Sequence, residues 1–135
     1  MYQHVLIPVA LDHESVLPRK LEIARRLQEP GGRITVMTVL EDVPAFVSEF
    51  IDVKPPKNLS ERVRQRLLQA TGDLPNVEAV VIRGRAGLAI AEYARENGVD
   101  LIIVGAQKPG VQDYLLGSTA ARVSRRAPCS VFIMR

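Results

Sequence analysis

At 135 residues, 47% apolar and 24% charged, the chain fits one globular domain, 1–135, with a single sizeable core. Its net charge of +3 comes from eighteen basic residues interleaved with fifteen acidic ones, which does not mark a nucleic-acid surface; aromatics at 4% with no Trp argue against single-strand binding by base stacking. No apolar run approaches the ~20 residues of a membrane-spanning helix, the chain runs straight into a strand pattern without a secretory signal, and one cysteine, Cys129, rules out an internal disulfide framework, so the expectation is a cytoplasmic protein.

Val5-Leu-Ile-Pro-Val-Ala10 is a short β-rich run that predicts a buried first strand, with Pro8 near its end, where a missing ladder N–H matters least. After a polar turn, Leu17, Leu21, Ala24 and Leu27 recur at helical spacing, with Arg19, Lys20, Arg25 and Arg26 expected to face outward. Glu29-Pro-Gly-Gly32 stops that helix, and Arg33–Leu40 reads as the second strand. The segment 41–57 has no clear period and three prolines. Its apolar residues are too many for a solvated linker, so part of it is expected to form a short helix or cover a pocket. Leu59, Val63, Leu67 and Ala70 mark a second helix ending near Gly72, and Val77–Arg83 a third strand. After a turn over Gly84–Gly87, Leu88, Ala91 and Ala94 share one face of a third helix, closed by the cap pair Asn97-Gly98. Leu101–Val104 is the fourth strand, Ser118–Arg126 the fourth helix, stopped by Pro128, and Cys129–Met134 the last strand.

Strands and helices therefore alternate throughout, which implies a parallel sheet with helices on both faces. In such α/β folds ligands sit beyond the carboxyl ends of the strands. The ends in question here are Pro8-Val9-Ala10, Val39-Leu40, Arg83-Gly84 and Val104-Gly105. The most informative of them opens the stretch Gly105–Thr119, GAQKPGVQDYLLGST, a strand end, a glycine-bearing loop and a helix start. Free backbone N–H groups and the helix dipole at such a start attract phosphate. No G-x-x-x-x-G-K-[ST] and no G-x-G-x-x-G after the first strand is present, which sets aside P-loop and dehydrogenase-type sites. Neither HExxH nor CxxC suggests a metal.

Taken together, Val5-Leu-Ile-Pro-Val9, Asp100-Leu-Ile-Ile-Val-Gly105, Leu115-Leu-Gly-Ser118 and Arg126-Ala-Pro-Cys-Ser-Val-Phe-Ile-Met-Arg135 resemble the universal stress protein family over nearly the whole chain. The resemblance implies a five-stranded parallel sheet in a Rossmann-like three-layer sandwich, strand order 3-2-1-4-5. It also implies a loop of the form G-x2-G-x9-G-[S/T] that wraps the ribose and phosphates of ATP, with or without Mg²⁺. Gly105 matches the first glycine and Gly117-Ser118 the closing pair. The loop is one residue shorter than the family spacing; Lys108 stands at the second glycine, with Gly110 two residues on. Some members are similar here, with a basic-Pro pair like Lys108-Pro109 and the run Tyr114-Leu-Leu-Gly-Ser118, and that branch binds nucleotides. Where the family places an aspartate after the first strand, this chain has Ala10, with Asp12 two residues on.

On this reading Pro8, Val9 and Ala10, with Val39, line an adenine slot. Gly105, after Val104, lets the ribose approach, Gly117, Ser118 and Thr119 offer amides and hydroxyls to phosphates, and Lys108 supplies charge. Plainer roles compete: an N-cap for Ser118, a strand-ending turn for Gly105, a solvated charge for Lys108, a turn residue or helix cap for Asp12. His4 and His13 belong to no triad pattern, Cys129 is expected in the core, and Arg122, Arg125 and Arg126 form either a solvated face or a patch for an anionic partner. The last strand, 129–134, is expected at a sheet edge, and the resemblance implies homodimers through it. Two functions follow: an ATP-binding stress-response regulator with little or no hydrolysis, lacking a positioned general base or arginine finger, or a dimeric module that docks a client protein without nucleotide.

Overall fold

A computed structural model describes residues 1–10, 16–41, 58–72, 74–106 and 116–135. Asp12, His13, Lys108, Gly110, Tyr114 and nearly all of the segment 41–57 lie outside the described residues. The elements in chain order are β1 (Tyr2–Pro8), α1 (Leu17–Leu27), β2 (Gln28–Leu40), α2 (Leu59–Ala70), β3 (Val77–Arg83), α3 (Ala86–Glu96), β4 (Leu101–Gly105), α4 (Ser118–Arg126) and β5 (Ser130–Met134). All strand pairs are parallel and the order is β3-β2-β1-β4-β5, as expected.

The apolar runs form strands because both sheet faces are covered, and alternate residues serve opposite layers. Val5, Ile7, Leu101 and Ile103 point to the layer capped by Leu17, Leu21 and Ala24 of α1 and Val63 and Leu67 of α2. Leu6, Ile102 and Val104 point to the other, against Ile90 and Ala94 of α3 and Ala120 and Val123 of α4. Each fully buried Leu or Ile contributes roughly 1.5–3 kcal/mol, so β1 and β4, central in the sheet, anchor the frame on which the strand ends are displayed.

Several local expectations are corrected. β2 begins at Gln28, not Arg33: Tyr2 pairs with Gln28 and His4 with Arg33, so Glu29–Gly32 is a register irregularity beside β1 rather than a stop between elements. Gly87 belongs to the first turn of α3 and is buried there, not in a turn. A Cβ on it would lie 2.6 Å from Arg122 Cβ, so glycine is what lets α3 and α4 cross this closely. The inner face of α3 also uses Ile90, with Leu88 half-buried. The Asn97-Gly98 cap forms as the sequence predicts, with Gly98 at φ +65° and Asn97 Nδ2 donating to Tyr93 O at 2.9 Å.

Candidate functional site

At the carboxyl end of the sheet, β1 and β4 are neighbours whose chains leave toward opposite layers, which opens the crevice of an α/β fold. The floor is pinned by main-chain bonds. Val9 N donates to Met37 O at 2.7 Å, and the Thr38 hydroxyl donates to Val9 O at 2.9 Å, so the end of β1 is fixed against β2. Ala106 N donates to Met134 O at 2.9 Å, and Gly117 N to Ala106 O at 2.6 Å, so the start of α4 is tied to the end of β4 although the intervening loop is long.

One cleft of about 160 Å³ results. It brings together Pro8 at the end of β1 with Val9 and Ala10 just beyond it, Val39 from β2, Val104 and Gly105 from β4, and Gly117, Ser118 and Thr119 at the start of α4. These are all the site residues read from the sequence except Lys108 and Gly110, which lie outside the described residues. Met37, Lys20, Ala120 and, from α3, Ala86 and Ile90 complete the wall; sequence reasoning missed them. An apolar cavity of ~150 Å³ takes one benzene-sized ring, so the enclosed part suits a planar ring, with anything longer extending outward.

The polar end of the cleft is the N-terminus of α4. Gly117, with extended backbone, is its N-cap, and Ser118 is the first helical residue, so the plainer N-cap role weighed for Ser118 falls to Gly117. Among the described residues no side chain caps the helix, and no acidic residue occupies its first turn. The Ala121 N–H is taken up by Gly117 O at 2.9 Å, so the amides of Ser118, Thr119 and Ala120 precede the helical ladder. They join the partial positive charge of the helix dipole at one wall of the cleft. Such a corner holds an anion well.

Lys20, expected to face outward, is 5% exposed and lines the cleft. A Cβ on Gly105 would sit 3.6 Å from its Nζ and 3.9 Å from its Cε. These are ordinary contacts, so the room above Gly105 is occupied by the lysine rather than by backbone. Burial lowers the Lys20 pKa from its ordinary value. The signal was present in the spacing: Leu17, Lys20, Leu21 and Ala24 fall at i, i+3, i+4 and i+7, one face of a helix.

The family model of the universal stress proteins matches residues 1–135. The chain belongs to the universal stress protein family. A universal stress protein of Thermus aquaticus, named for its place in a QAH/OAS sulfhydrylase 3' region, is 31% identical over the full length of both chains. Among solved structures, the universal stress protein UspA from Lactobacillus plantarum is similar at 26% identity and TM-score 0.70, covering 99% of this chain and 98% of that one. Two more distant universal stress proteins share the fold. One, solved with cAMP, is 19% identical at TM-score 0.69, covering 99% of this chain and 97% of its own. The other, from Archaeoglobus fulgidus and solved with dAMP, is 17% identical at TM-score 0.66, covering 99% and 98%. Among the described residues no helix is long and apolar enough to cross a membrane, and no group of His, Cys, Asp or Glu side chains is gathered to hold a metal.

Proposed function

We propose that this universal stress protein is a cytoplasmic ATP-binding regulator of a stress response that works as a homodimer with little or no hydrolysis. The observation that carries the reading is the meeting, in one cleft, of a ring-sized apolar slot between Val9 and Val39 and an uncapped helix N-terminus at Ser118–Ala120. The slot takes the base, the amides take phosphate, and any Mg²⁺ enters on the triphosphate. The relatives solved with cAMP and dAMP support an adenine nucleotide as the class of ligand. The shortened loop with Lys108 and Gly110 supports the reading, since it resembles the loop of a nucleotide-binding branch of the family.

β5 lies at the sheet edge with Phe132 exposed, which supports self-association through 129–134. Calorimetric titration of the folded protein with ATP tests the nucleotide reading. Saturable binding is expected below millimolar ligand, and its absence at millimolar ATP refutes the reading. Mass spectrometry of protein denatured after purification without added ligand offers a second check, since a co-purifying nucleotide is expected.

A second reading rests on Ala10, which supplies no carboxylate where the family has one. On that reading the chain is a dimeric module that docks a client protein. Gly117→Val separates the two: it abolishes ATP binding under the first and leaves client binding intact under the second.

A further inference from the structure

Lys20 is the one ionisable side chain among the described residues that line the cleft; those contributed by β1, β2, α3, β4 and α4 are apolar, hydroxyl-bearing or glycine. It is 95% out of solvent by the 5% that stays exposed, it comes from the inner face of α1, and it lines the same cleft as the start of α4. No hydrogen bond or ion pair holds its ammonium among the described residues. Glu41 Oε1 accepts from the amide of Ala86, a cleft-lining residue, at 3.2 Å. An ammonium removed from water without a counter-charge is unfavourable by a wide margin. An anion entering the cleft would relieve it, and the amides of Ser118–Ala120, which line the same cleft, attract that same anion.

We propose that Lys20 is the charge-selecting residue of this cleft: its ammonium pairs with a phosphate oxygen of the bound nucleotide, so the protein takes phosphorylated nucleotides in preference to the free nucleoside. The inference rests on the nucleotide reading above and deepens it. Burial favours loss of the Lys20 proton in the free protein, and a bound phosphate favours its return. Binding therefore draws in a proton where the free lysine is partly neutral, and affinity weakens as the pH rises toward the ordinary lysine range.

The test is calorimetry of the intact chain with ATP, AMP, adenosine and inorganic phosphate. The unmutated protein is expected to bind ATP at least tenfold tighter than adenosine. Lys20→Met is expected to lose about 10- to 100-fold in ATP affinity, the range of a charge-assisted bond, while adenosine affinity changes less than about threefold. Lys20→Arg restores part of the loss. If Lys20→Met binds ATP as tightly as the unmutated chain, the proposal is overturned and the nucleotide reading stands. If the unmutated chain binds adenosine as tightly as ATP, the proposal is likewise overturned. If it binds inorganic phosphate but no nucleotide or nucleoside, or binds none of the four, both readings fall.

Carbon-13 NMR of labelled lysines in the unmutated protein needs no variant to fold. The Lys20 Cε resonance is expected to titrate at lower pH than an ordinary lysine and to move back up on adding ATP. A resonance indifferent to saturating ATP overturns the proposal.

Discussion

His4 Nε2 lies 2.8 Å from the Thr35 hydroxyl, buried in the α3-side layer of the sheet and away from the cleft. That hydroxyl donates to Glu78 Oε1 at 2.7 Å, and His4 Nδ1–H donates to Asn97 O at 3.2 Å. Thr35 has a single proton to give. While Glu78 takes it, Nε2 must donate and the imidazole is charged; when the hydroxyl turns to Nε2, the imidazole is neutral. Burial is the largest influence and lowers the His4 pKa; Arg33 acts in the same direction, against Asn97 O, Glu78 and Asp100.

Because the folded pKa lies below the unfolded value of about 6.5, the unfolded chain takes up this proton first. Stability from this group is complete above about pH 6.5 and is lost as the pH falls below it. The melting temperature, followed by circular dichroism, is expected to be level from pH 8 to 7 and to decline between pH 6.5 and 5. In His4→Gln that decline is smaller. An unchanged slope in the variant would sink the assignment.

The same buried ammonium that selects phosphate weighs on the free fold. Its folded pKa is lowered, so the unfolded chain holds the Lys20 proton more tightly and stability without ligand rises with pH toward the lysine range. Lys20→Met removes the uncompensated charge at similar volume. Thermal melts without ligand should show a gain of about 1 kcal/mol, or roughly 4 °C for a domain of this size. A loss of stability would mean that the ammonium already has a partner in the free protein.

At the α3–α4 crossing, Gly87→Ala would place a Cβ 2.6 Å from Arg122 Cβ and 3.0 Å from its Cδ. The first of these atoms is held by the backbone and cannot swing away. The helix-propensity gain of about 1 kcal/mol is outweighed by strain of roughly 2–3 kcal/mol, so urea denaturation should show a net loss of about 1–2 kcal/mol. Gly105→Ala is the contrast: its Cβ meets Lys20 at ordinary contact distance, and stability should change by less than about 0.5 kcal/mol.

Edge pairing through β5 predicts that Phe132→Glu, a charge placed on an exposed edge residue, weakens self-association at least about tenfold and yields monomer in analytical ultracentrifugation. Met134 O accepts from Ala106 N, on the β4 side, so the substitution leaves that bond in place and the fold should melt as before. A dimer unaffected by Phe132→Glu places the contact elsewhere.

Most of the cleft was legible before the structure. The strand ends at Pro8-Val9-Ala10 and Val104-Gly105 are marked by apolar runs that stop at turn residues, and Gly117-Ser118 by a helix start; these signals need only near neighbours in the chain. Met37, Ala86 and Ile90 were not legible, because nothing local says which apolar residues of a buried strand or helix reach the crevice end. Lys20 was half legible: helical spacing put it among Leu17, Leu21 and Ala24, but its charge argued for the opposite face. The register change beside β1 escaped as well, since Pro-Gly-Gly looks the same in a helix stop as in an irregular strand start.

By itself the sequence determined the alternation of elements, the parallel class of the sheet and the candidate phosphate corner, because periodicity, caps and breakers act over a few residues. Tertiary structure alone decided that a lysine from α1, two helix residues from α3 and the amides of α4 close on one cavity. Such a meeting depends on strand order and helix crossing distance, which arise from contacts between segments up to a hundred residues apart and leave no mark within any one of them.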